Sequence, residues 1–388
     1  MKSRTLARCA AFLGAMALLP AAPLAAAVRA PADMPPLFGG SYAFRFAEEK
    51  AVPEAIPSAP SAESPPEESA PASRPAESAP ESLPPKESVP ESSALPESGA
   101  SLSLPAAYKV LDAGSGEVMS LSPFAYICGV TAAEIPMSFH PEAVKAQAVA
   151  AHSYALRQMG LQLQNPDPDL KGAFLSTDPA HFQSYLSEEE RRELWGEAFE
   201  ENEAALESAV EEVLGCILVY EGEPAAAAFH SISSGRTESA RDVWGQEIPY
   251  LSGADSPEDA ENPAGQADTS FSAQEAAAIL SAHLESLSLP EDPAKWIQPE
   301  ERTAGGMVTA AKVGGSTVSG EDIRSWFGLP SANFTVECSG ETLTFRTRGR
   351  GHGVGMSQYG ADAMAEAGSG WEEILARYYP GTEIALVE

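Results

Sequence analysis

The sequence predicts an α+β fold, with mixed short strands and helices in one globular domain. Short runs rich in β-branched and aromatic residues are interspersed with segments of helical periodicity. These strands and helices do not alternate regularly, which argues against a doubly wound sheet. The composition becomes globular near residue 105 and stays so to residue 388. We therefore expect a single domain over residues 105–388.

The two segments that precede this domain differ from it in composition. Residues 1–30 combine a basic start, an apolar alanine-rich run and a small-residue cleavage site, which predicts a signal peptide or, as the alternative, a membrane anchor. Residues 31–104 are dominated by Pro, Glu, Ser and Ala and predict a disordered linker, with a disordered binding tail as the alternative. Both N-terminal readings make the domain extracytoplasmic, either secreted or anchored to the outer face of the cytoplasmic membrane.

The charge and the cysteines exclude some classes of function. The chain carries 56 acidic and 24 basic residues, a formal charge of −32, which argues against a nucleic-acid partner. Cys128, Cys216 and Cys338 stand in apolar or strand-like surroundings and show no zinc-type spacing. We expect buried thiols there, with one disulfide pair left open, and neither a metal site nor a cofactor.

The first half of the domain contains a predicted strand and a long helix. Residues 118–130 predict a strand with an apolar approach to Glu134. Pro141 suits the first turn of a helix, where its missing N–H is not needed. The sequence predicts this helix over residues 141–158, because small or apolar residues recur at helical spacing at Val144, Ala148, Ala151 and Ala155.

Later elements follow from capping and strand signals. Ser187 and Glu190 have the spacing of a capping box that opens a charged helix. A hairpin is predicted between residues 216–220 and 225–229. The remaining predictions are helices over residues 203–213, 271–287 and 321–327, and strands over residues 308–313, 317–318, 334–338 and 342–346.

Glu134 is a candidate proton donor. It ends an apolar run and comes shortly before a helix with a face of small residues. A free glutamate titrates near about 4.3, and burial raises that value, which turns a glutamate into a usable general acid. From these residues alone, an ordinary solvated glutamate in a loop is the alternative.

A glycine-rich segment, RTRGRGHGVGMSQYGADAMAEAG, covers residues 346–368. Its alternating glycines allow close approach of a ligand or of another backbone segment, but the spacing is not that of a phosphate-binding loop. His352 lies between two glycines, so we expect its ring at a surface or cleft, near Arg350 and Gln358. A structural histidine is the alternative.

Taken together, the motifs resemble the stage II sporulation protein D family, which is also met as amidase-enhancer domains. The resemblance covers nearly all of residues 105–388. It consists, in order, of YICGVTAAEIP with HPEAVKAQAVAAHSYAL, HFQSY, FHSISSGRTESARDVWGQEIPYL, SGEDIRSWFGLPSANFTV, and GRGHGVGMSQYGADAMAEAG with WEEILARYYPGTEI.

The resemblance implies a peptidoglycan lytic transglycosylase that acts on glycan strands without stem peptides, with Glu134 as the catalytic acid. The family usually has Arg where this chain has His152, which puts the role of that position in doubt. Some members bind zinc through a Cys in the segment that matches HFQSY, and this chain has none there. We expect seven further side chains to line the glycan groove: Lys145, Gln147, His230, Arg236, Arg350, His352 and Gln358.

A lytic transglycosylase needs one carboxyl group, whereas ordinary glycosidases use two. If the reaction is hydrolysis instead, the candidates for a second carboxyl are Asp178, Glu238 and Asp242. Two further alternatives remain: a non-catalytic glycan-binding activator of a cell-wall amidase, and a metallohydrolase built on His230 and His352, which no paired metal-ligand spacing supports. The expected partners are peptidoglycan glycan strands, with a cell-wall amidase or other sporulation proteins as further candidates.

Overall fold

The computed structural model describes residues 103–285 and 287–387, and it confirms the α+β prediction. The predicted signal peptide or anchor, and all but the end of the predicted linker, lie outside the described residues. Within the described part of the chain, no helix combines the length and the apolar character needed to span a membrane.

The first elements in chain order are β1 (Tyr108–Leu111), β2 (Val118–Leu121), α1 (Pro123–Glu134), α2 (Pro141–Gln164), β3 (Leu175–Ser176), α3 (Glu188–Trp195), α4 (Phe199–Val213), β4 (Cys216–Tyr220), β5 (Glu223–Pro224), β6 (Phe229–His230) and α5 (Ala240–Trp244). Then follow β7 (Gln266–Ser272), α6 (Ala273–His283), β8 (Ile297–Arg302), β9 (Val308–Val313), β10 (Ser316–Val318), α7 (Gly320–Phe327), β11 (Phe334–Ser339), β12 (Thr342–Arg348), β13 (Met356–Ser357), α8 (Gln358–Glu366), α9 (Trp371–Tyr378) and β14 (Glu383–Leu386). Short 3₁₀ turns occur at Pro168–Leu170, Gly196–Ala198, Pro257–Asp259, Pro263–Gly265 and Pro293–Lys295.

Helix α2 is the centre of the helical part of the molecule. It packs against α1, α4, α8, α9 and strand β4. Many of its residues are alanine, and the segment from Ala143 to Leu156 is almost completely buried, so neighbouring elements approach its backbone closely. The hydroxyl of Ser153 accepts a hydrogen bond from the backbone N–H of Leu218 at 2.8 Å, which ties α2 to β4.

A second hydrophobic core lies within residues 266–348, a stretch that we call the insert. It contains two antiparallel three-stranded sheets, of order β10–β9–β8 and β11–β12–β7, together with α6 and α7. The buried residues of this core include Phe327, Phe334 and Phe345. Gln266 at the start of the insert pairs with Arg348 at its end, so the chain leaves and rejoins the rest of the domain at adjacent points.

The segments on either side of the insert meet in a short parallel pair. Met356 pairs with Phe229, and Ser357 pairs with His230. Gly355 precedes this pair with φ of 77°, and a Cβ there would lie only 2.7 Å from the carbonyl carbon of Ala228. The glycine-rich segment therefore uses glycine here for close backbone approach, as its sequence predicts.

One element prediction was wrong, and another was correct in type but too long. Residues 118–130 form strand β2 followed by α1, because Ser122 caps the helix and Pro123 occupies its first turn. Helix α1 is buried around most of its circumference, so it lacks the amphipathic pattern that would identify a helix. The helix predicted over residues 271–287 is shorter, because Phe271 belongs to β7 and a capping box of Ser272 and Glu275 starts the helix at Ala273.

The predicted hairpin at residues 216–229 is only partly correct. Strand β4 pairs with the two residues of β5, and the chain then leaves this sheet. The final residues of the predicted hairpin pair instead with β13, which no local pattern reveals. The predicted capping box of Ser187 and Glu190 is confirmed, as are the strands near 308–346 and the helix at Gly320–Phe327. The three thiols Cys128, Cys216 and Cys338 are free.

Candidate active site

Glu134 is the last residue of α1 and is partly exposed. The backbone N–H of Ser184 donates to its Oε1 at 2.7 Å. Burial raises the pKa of Glu134 to about 7, while the N–H and the side chain of Ser184 act in the opposite direction. At neutral pH this carboxyl group is therefore present in both protonation states, as a group that first donates and then accepts a proton requires.

The loop that carries Ser184 is held on α1 by its neighbour Tyr185. The Tyr185 ring stacks on Tyr126 with centroids 6.0 Å apart and an interplanar angle of 9°. It lies against Gly129, where a Cβ would be 2.6 Å from the ring Cδ2 and 2.7 Å from the carbonyl oxygen of Leu186. The N–H of Leu186 donates to the Gly129 carbonyl at 3.1 Å. Glycine on α1 therefore allows the close approach that brings Ser184 to Glu134.

Helix α2 connects this loop to the glycine-rich segment. The Nε2 of Gln183 donates to the carbonyl of Ala151 at 3.2 Å. One turn earlier on α2, Gln147 accepts a hydrogen bond from Nε2 of Gln358 at 3.3 Å. Gln147 and Gln358 are both buried, so the structure brings these two predicted groove residues together beneath the surface.

The residues that follow Glu134 also contact the glycine-rich segment. The ring of Phe139 lies edge-on to that of Tyr359, with centroids 4.9 Å apart. The backbone N–H of His140 donates to Oδ1 of Asp362 at 2.7 Å. Arg350 is partly buried, and this desolvation lowers the pKa of its guanidinium, opposed by the nearby Tyr359. These contacts place the glycine-rich segment beside the Glu134 turn.

His230 and His352 form a buried aromatic cluster with Trp244 of α5. The ring centroids of His352 are 5.9 Å from His230 and 5.3 Å from Trp244. Burial lowers the pKa of His230 to about 4, and burial followed by the charges of His230 and Arg324 lowers the pKa of His352 well below its usual value. Both rings are therefore neutral at pH 7.

The expectation that His352 lies at a surface was wrong. Its flanking glycines suggested an open ring position, but the side chain is only 5% exposed because Trp244 and His230 cover it. The Nδ1 of His352 accepts a hydrogen bond from the backbone N–H of Val354 at 3.1 Å, which fixes the ring within the glycine-rich segment. Glycine neighbours indicate backbone freedom, and they do not report what packs on the side chain.

His352→Ala is therefore expected to lower the free energy of unfolding by about 2 kcal/mol or more, on the scale of core truncations. Urea unfolding of the purified domain measures this. His181→Ala is a matched control, because the His181 side chain is 61% exposed and the expected change there is within ~0.5 kcal/mol. Equal effects of the two substitutions would contradict the packing role of His352.

Lys145 and Arg236 are engaged in ion pairs away from Glu134. The Nζ of Lys145 lies 2.9 Å from Glu142 and 2.6 Å from Glu212. Arg236 pairs with Asp255. Both side chains are thus held in ion pairs, and their role in a glycan groove stays a prediction.

The three candidate second carboxyl groups each have a local role. Burial would raise the pKa of Asp178, but hydrogen bonds from His181 and from the backbone N–H of Ala180 outweigh it and lower the pKa. Glu238 is buried and accepts a hydrogen bond from the Thr303 hydroxyl at 2.8 Å. Asp242 is exposed, and its carboxylate accepts from Ser239 at 2.8 Å at the start of α5.

The described residues contain no group of three or more His, Cys, Asp or Glu side chains that could hold a metal ion. Within this part of the chain His230 and His352 are neighbours, but no carboxylate or thiol completes a set of ligands with them. The metallohydrolase alternative therefore has no support among the described residues.

Sequence reasoning missed the residues that position Glu134. HFQSY was recognised as a motif, but Ser184 acts through its backbone N–H, which every residue except proline carries. Gly129 had a signal that could have been used, because a glycine within an apolar run marks close approach of another segment. Trp244 lies in the motif FHSISSGRTESARDVWGQEIPYL, but only the fold shows that its ring covers His352.

A sequence model of the stage II sporulation protein family matches residues 113–220, which include Glu134 and Ser184. Over 260 residues the chain is 39% identical to stage II sporulation protein D of Bacillus subtilis, covering 67% of this chain and 73% of the relative. This chain belongs to the stage II sporulation protein D family.

Two further relatives extend the comparison of this family member. Stage II sporulation protein D of Bacillus amyloliquefaciens is also 39% identical over 260 residues, with 67% of this chain and 73% of the relative covered. The amidase enhancer of Bacillus subtilis is 28% identical over 307 residues, which cover 66% of this chain and 40% of the relative.

His152 is the position where this stage II sporulation protein D family member departs from the Arg that the resemblance implies. Its side chain is buried, and burial lowers the pKa of His152 to about 4, so the ring is neutral. The ring meets that of Tyr108 edge-on, with centroids 6.2 Å apart. Position 152 therefore contributes ring packing here and no positive charge.

Proposed function

We propose that this protein is a peptidoglycan lytic transglycosylase that uses Glu134 as its single acid and base. The observation that carries the proposal is the partly buried Glu134 carboxyl, whose pKa of about 7 suits proton donation near neutral pH. The membership of the stage II sporulation protein D family supports it, because the matched residues 113–220 contain this glutamate.

In the proposed reaction, protonated Glu134 gives its proton to the glycosidic oxygen and the bond to the anomeric carbon breaks. The Glu134 carboxylate then takes the proton from the C6 hydroxyl of the same muramic sugar. The C6 oxygen bonds to the anomeric carbon, so the products are a 1,6-anhydro end and a chain with a free hydroxyl. No water is consumed, and the intramolecular attack gains from proximity.

The surroundings of the other carboxyl groups support a single-carboxylate mechanism. Glu238 is enclosed by the turn at Thr303 and accepts from Thr303 and from the Met307 backbone. Asp242 accepts a hydrogen bond from Ser239, the N-cap residue of α5, and Asp178 hydrogen-bonds within its own turn. Each of the three carboxyl groups is therefore already held by hydrogen bonds with its own neighbours.

The proposed substrate is the glycan strand of the cell wall after removal of its stem peptides, in sporulation or wall remodelling. The names of the relatives, a stage II sporulation protein and an amidase enhancer, support a role beside a cell-wall amidase. The predicted signal peptide or anchor would place this activity outside the cytoplasmic membrane.

Digestion of peptide-free glycan in ¹⁸O-water tests the mechanism. We expect 1,6-anhydro ends without label, because the nucleophile is the C6 oxygen of the substrate. Mass spectrometry separates a 1,6-anhydro end from the reducing end that hydrolysis would give, because the two differ in mass by one water. Label at new reducing ends would identify a hydrolase with a second carboxyl and overturn the proposal of a single catalytic group.

A second candidate is a non-catalytic activator of a cell-wall amidase, which the 28% identity to an amidase enhancer favours. An activator has no need for a proton donor, so the Glu134→Gln protein would then stimulate the amidase as strongly as the wild type does. Stimulation of a purified amidase by wild type and by Glu134→Gln, measured on intact peptidoglycan, separates this candidate from the enzyme.

A further inference from the structure

We propose that the backbone N–H of Ser184 is a positioning group that leaves Oε2 of Glu134 to carry the transferable proton. The catalytic role of this hydrogen bond rests on the proposed function. The hydrogen bond itself and its effect on the Glu134 carboxyl group do not depend on that function. The Ser184 N–H donates to Oε1 at 2.7 Å, so Oε1 must present a lone pair to it. The carbonyl oxygen of a carboxylic acid is the better acceptor, so protonated Glu134 preferentially holds its proton on the other oxygen.

The position of this N–H is set by packing. Tyr185 is fixed between Tyr126 and the bare backbone of Gly129, and Leu186 is hydrogen-bonded to the Gly129 carbonyl at 3.1 Å. Gly129 and Glu134 lie on the same helix. Packing of Tyr185 and Leu186 on Gly129 therefore fixes the Ser184 N–H relative to the Glu134 carboxyl group. Gly129 and Tyr185 are positioning residues that act through Ser184.

The hydrogen bond has two consequences for the acid. It fixes the carboxyl plane, so that one oxygen faces Ser184 and the other is left for the substrate. It also stabilises the carboxylate, and so limits the rise of the Glu134 pKa that burial causes. Without it, Glu134 would be a weaker acid and its proton would occupy either oxygen.

The other charged and titratable groups on the surrounding elements do not explain why the rise of the Glu134 pKa is limited. Tyr126 on α1 and Tyr185 on the loop are uncharged at neutral pH, and burial raises the pKa of each. On α2, His152 is neutral. Further side chains on the packed elements and the loop are paired or buried: Arg191 with Glu203, Asp178 with His181, and Tyr154 in the core.

An amide-to-ester replacement at residue 184 tests the proposal. Alanine and its α-hydroxy analogue, lactic acid, differ in the backbone N–H while keeping the same side chain, and both can be introduced into the full chain by nonsense suppression. ¹³C NMR of Glu-labelled protein gives the pKa of Glu134, with Glu134→Gln to assign the resonance. We expect the ester to raise this pKa by about one pH unit relative to Ser184→Ala.

The activity on peptide-free glycan should change in parallel. We expect a lower kcat for the ester and an alkaline limb of the pH–rate profile that moves upward with the Glu134 pKa. Equal pKa values in the ester and amide forms of a folded protein would overturn the proposal. If the wild type does not cleave glycan, the proposed function fails, while the NMR comparison still decides the role of Ser184.

Gly129→Ala provides the second arm, because the added Cβ must displace Tyr185 and Leu186. In the Gly129→Ala protein we expect the ester and amide forms at residue 184 to give the same Glu134 pKa. The effect of the ester on this pKa then depends on Gly129. Gly160→Ala on α2 is the control, since among the described residues no atom beyond its own stretch of helix lies within 4 Å of its Cβ position, and there the difference should persist. Full coupling in a folded Gly129→Ala protein would show that packing on Gly129 does not position Ser184.

Discussion

Replacing Glu134 by glutamine will leave a folded protein that cleaves peptide-free glycan at least about 10²-fold more slowly than the wild type. The amide has nearly the shape of the carboxyl group, and it can still accept the hydrogen bond from Ser184 through its oxygen. It cannot donate a proton with the required acidity or recover one from the C6 hydroxyl. Release of anhydro ends, quantified by mass spectrometry, measures the loss.

The same substitution has a predicted effect on stability that depends on pH. The pKa of Glu134 is raised in the folded protein to about 7, so the folded state binds more protons than the unfolded state between its unfolded value and neutrality. Stability from this group is present at low pH and is lost as the pH rises through about 7. Glu134→Gln should therefore raise the Tm at pH 8 and leave it nearly unchanged at pH 4.

Glu117→Gln is a suitable control for both effects, because Glu117 is exposed. It should retain activity and have the same Tm as the wild type at each of the two pH values. A Glu134→Gln protein that cleaves glycan at the wild-type rate would remove Glu134 from the mechanism. A lower Tm at pH 8 would contradict the desolvation of its carboxyl group.

Gly355→Ala will have the largest effect on stability, with an expected loss of about 3–5 kcal/mol. Gly355 has φ of 77°, which disfavours any side chain, and the new Cβ would overlap the carbonyl group of Ala228. Relief of this overlap requires β6 and β13 to separate, which would release His230 from its hydrogen-bonding distance of 3.2 Å to Val354. Urea unfolding followed by Trp fluorescence measures the change.

Gly368→Ala separates backbone strain from overlap. Gly368 also has a positive φ of 100°, but among the described residues no atom beyond its two chain neighbours lies within 4 Å of its Cβ position. We expect it to cost only the conformational penalty of about 1–2 kcal/mol. If Gly355→Ala is no more destabilising than Gly368→Ala, then close packing of the glycine-rich segment on Ala228 does not hold the pair of strands together.

The parts that the sequence predicted well are those in which cause and effect lie within one or two turns. The box of Ser187 and Glu190 is one example, since its side chains satisfy backbone groups three residues away. Glu134 could be selected because its apolar run and the following helix are adjacent in sequence. The orientation of its carboxyl group could not be predicted, because Ser184, whose N–H donates to it, is 50 residues further along the chain.

The errors have the same physical origin. The exposure of His352 depends on Trp244, which arrives from a different segment. The partner of Phe229 is Met356, beyond the whole insert. A helix such as α1, buried on nearly every side, loses the polar face by which periodicity separates helices from strands.

The parallel pair of β6 and β13 also has a consequence for the order of assembly. The hydrogen bond between His230 and Val354 joins residues 124 positions apart, whereas Glu134 and Ser184 are 50 apart. Closing the longer loop costs more chain entropy and requires Val354, which is synthesised after Ser184. A nascent chain can therefore form the contact between Glu134 and Ser184 before Val354, the partner of His230, has been synthesised.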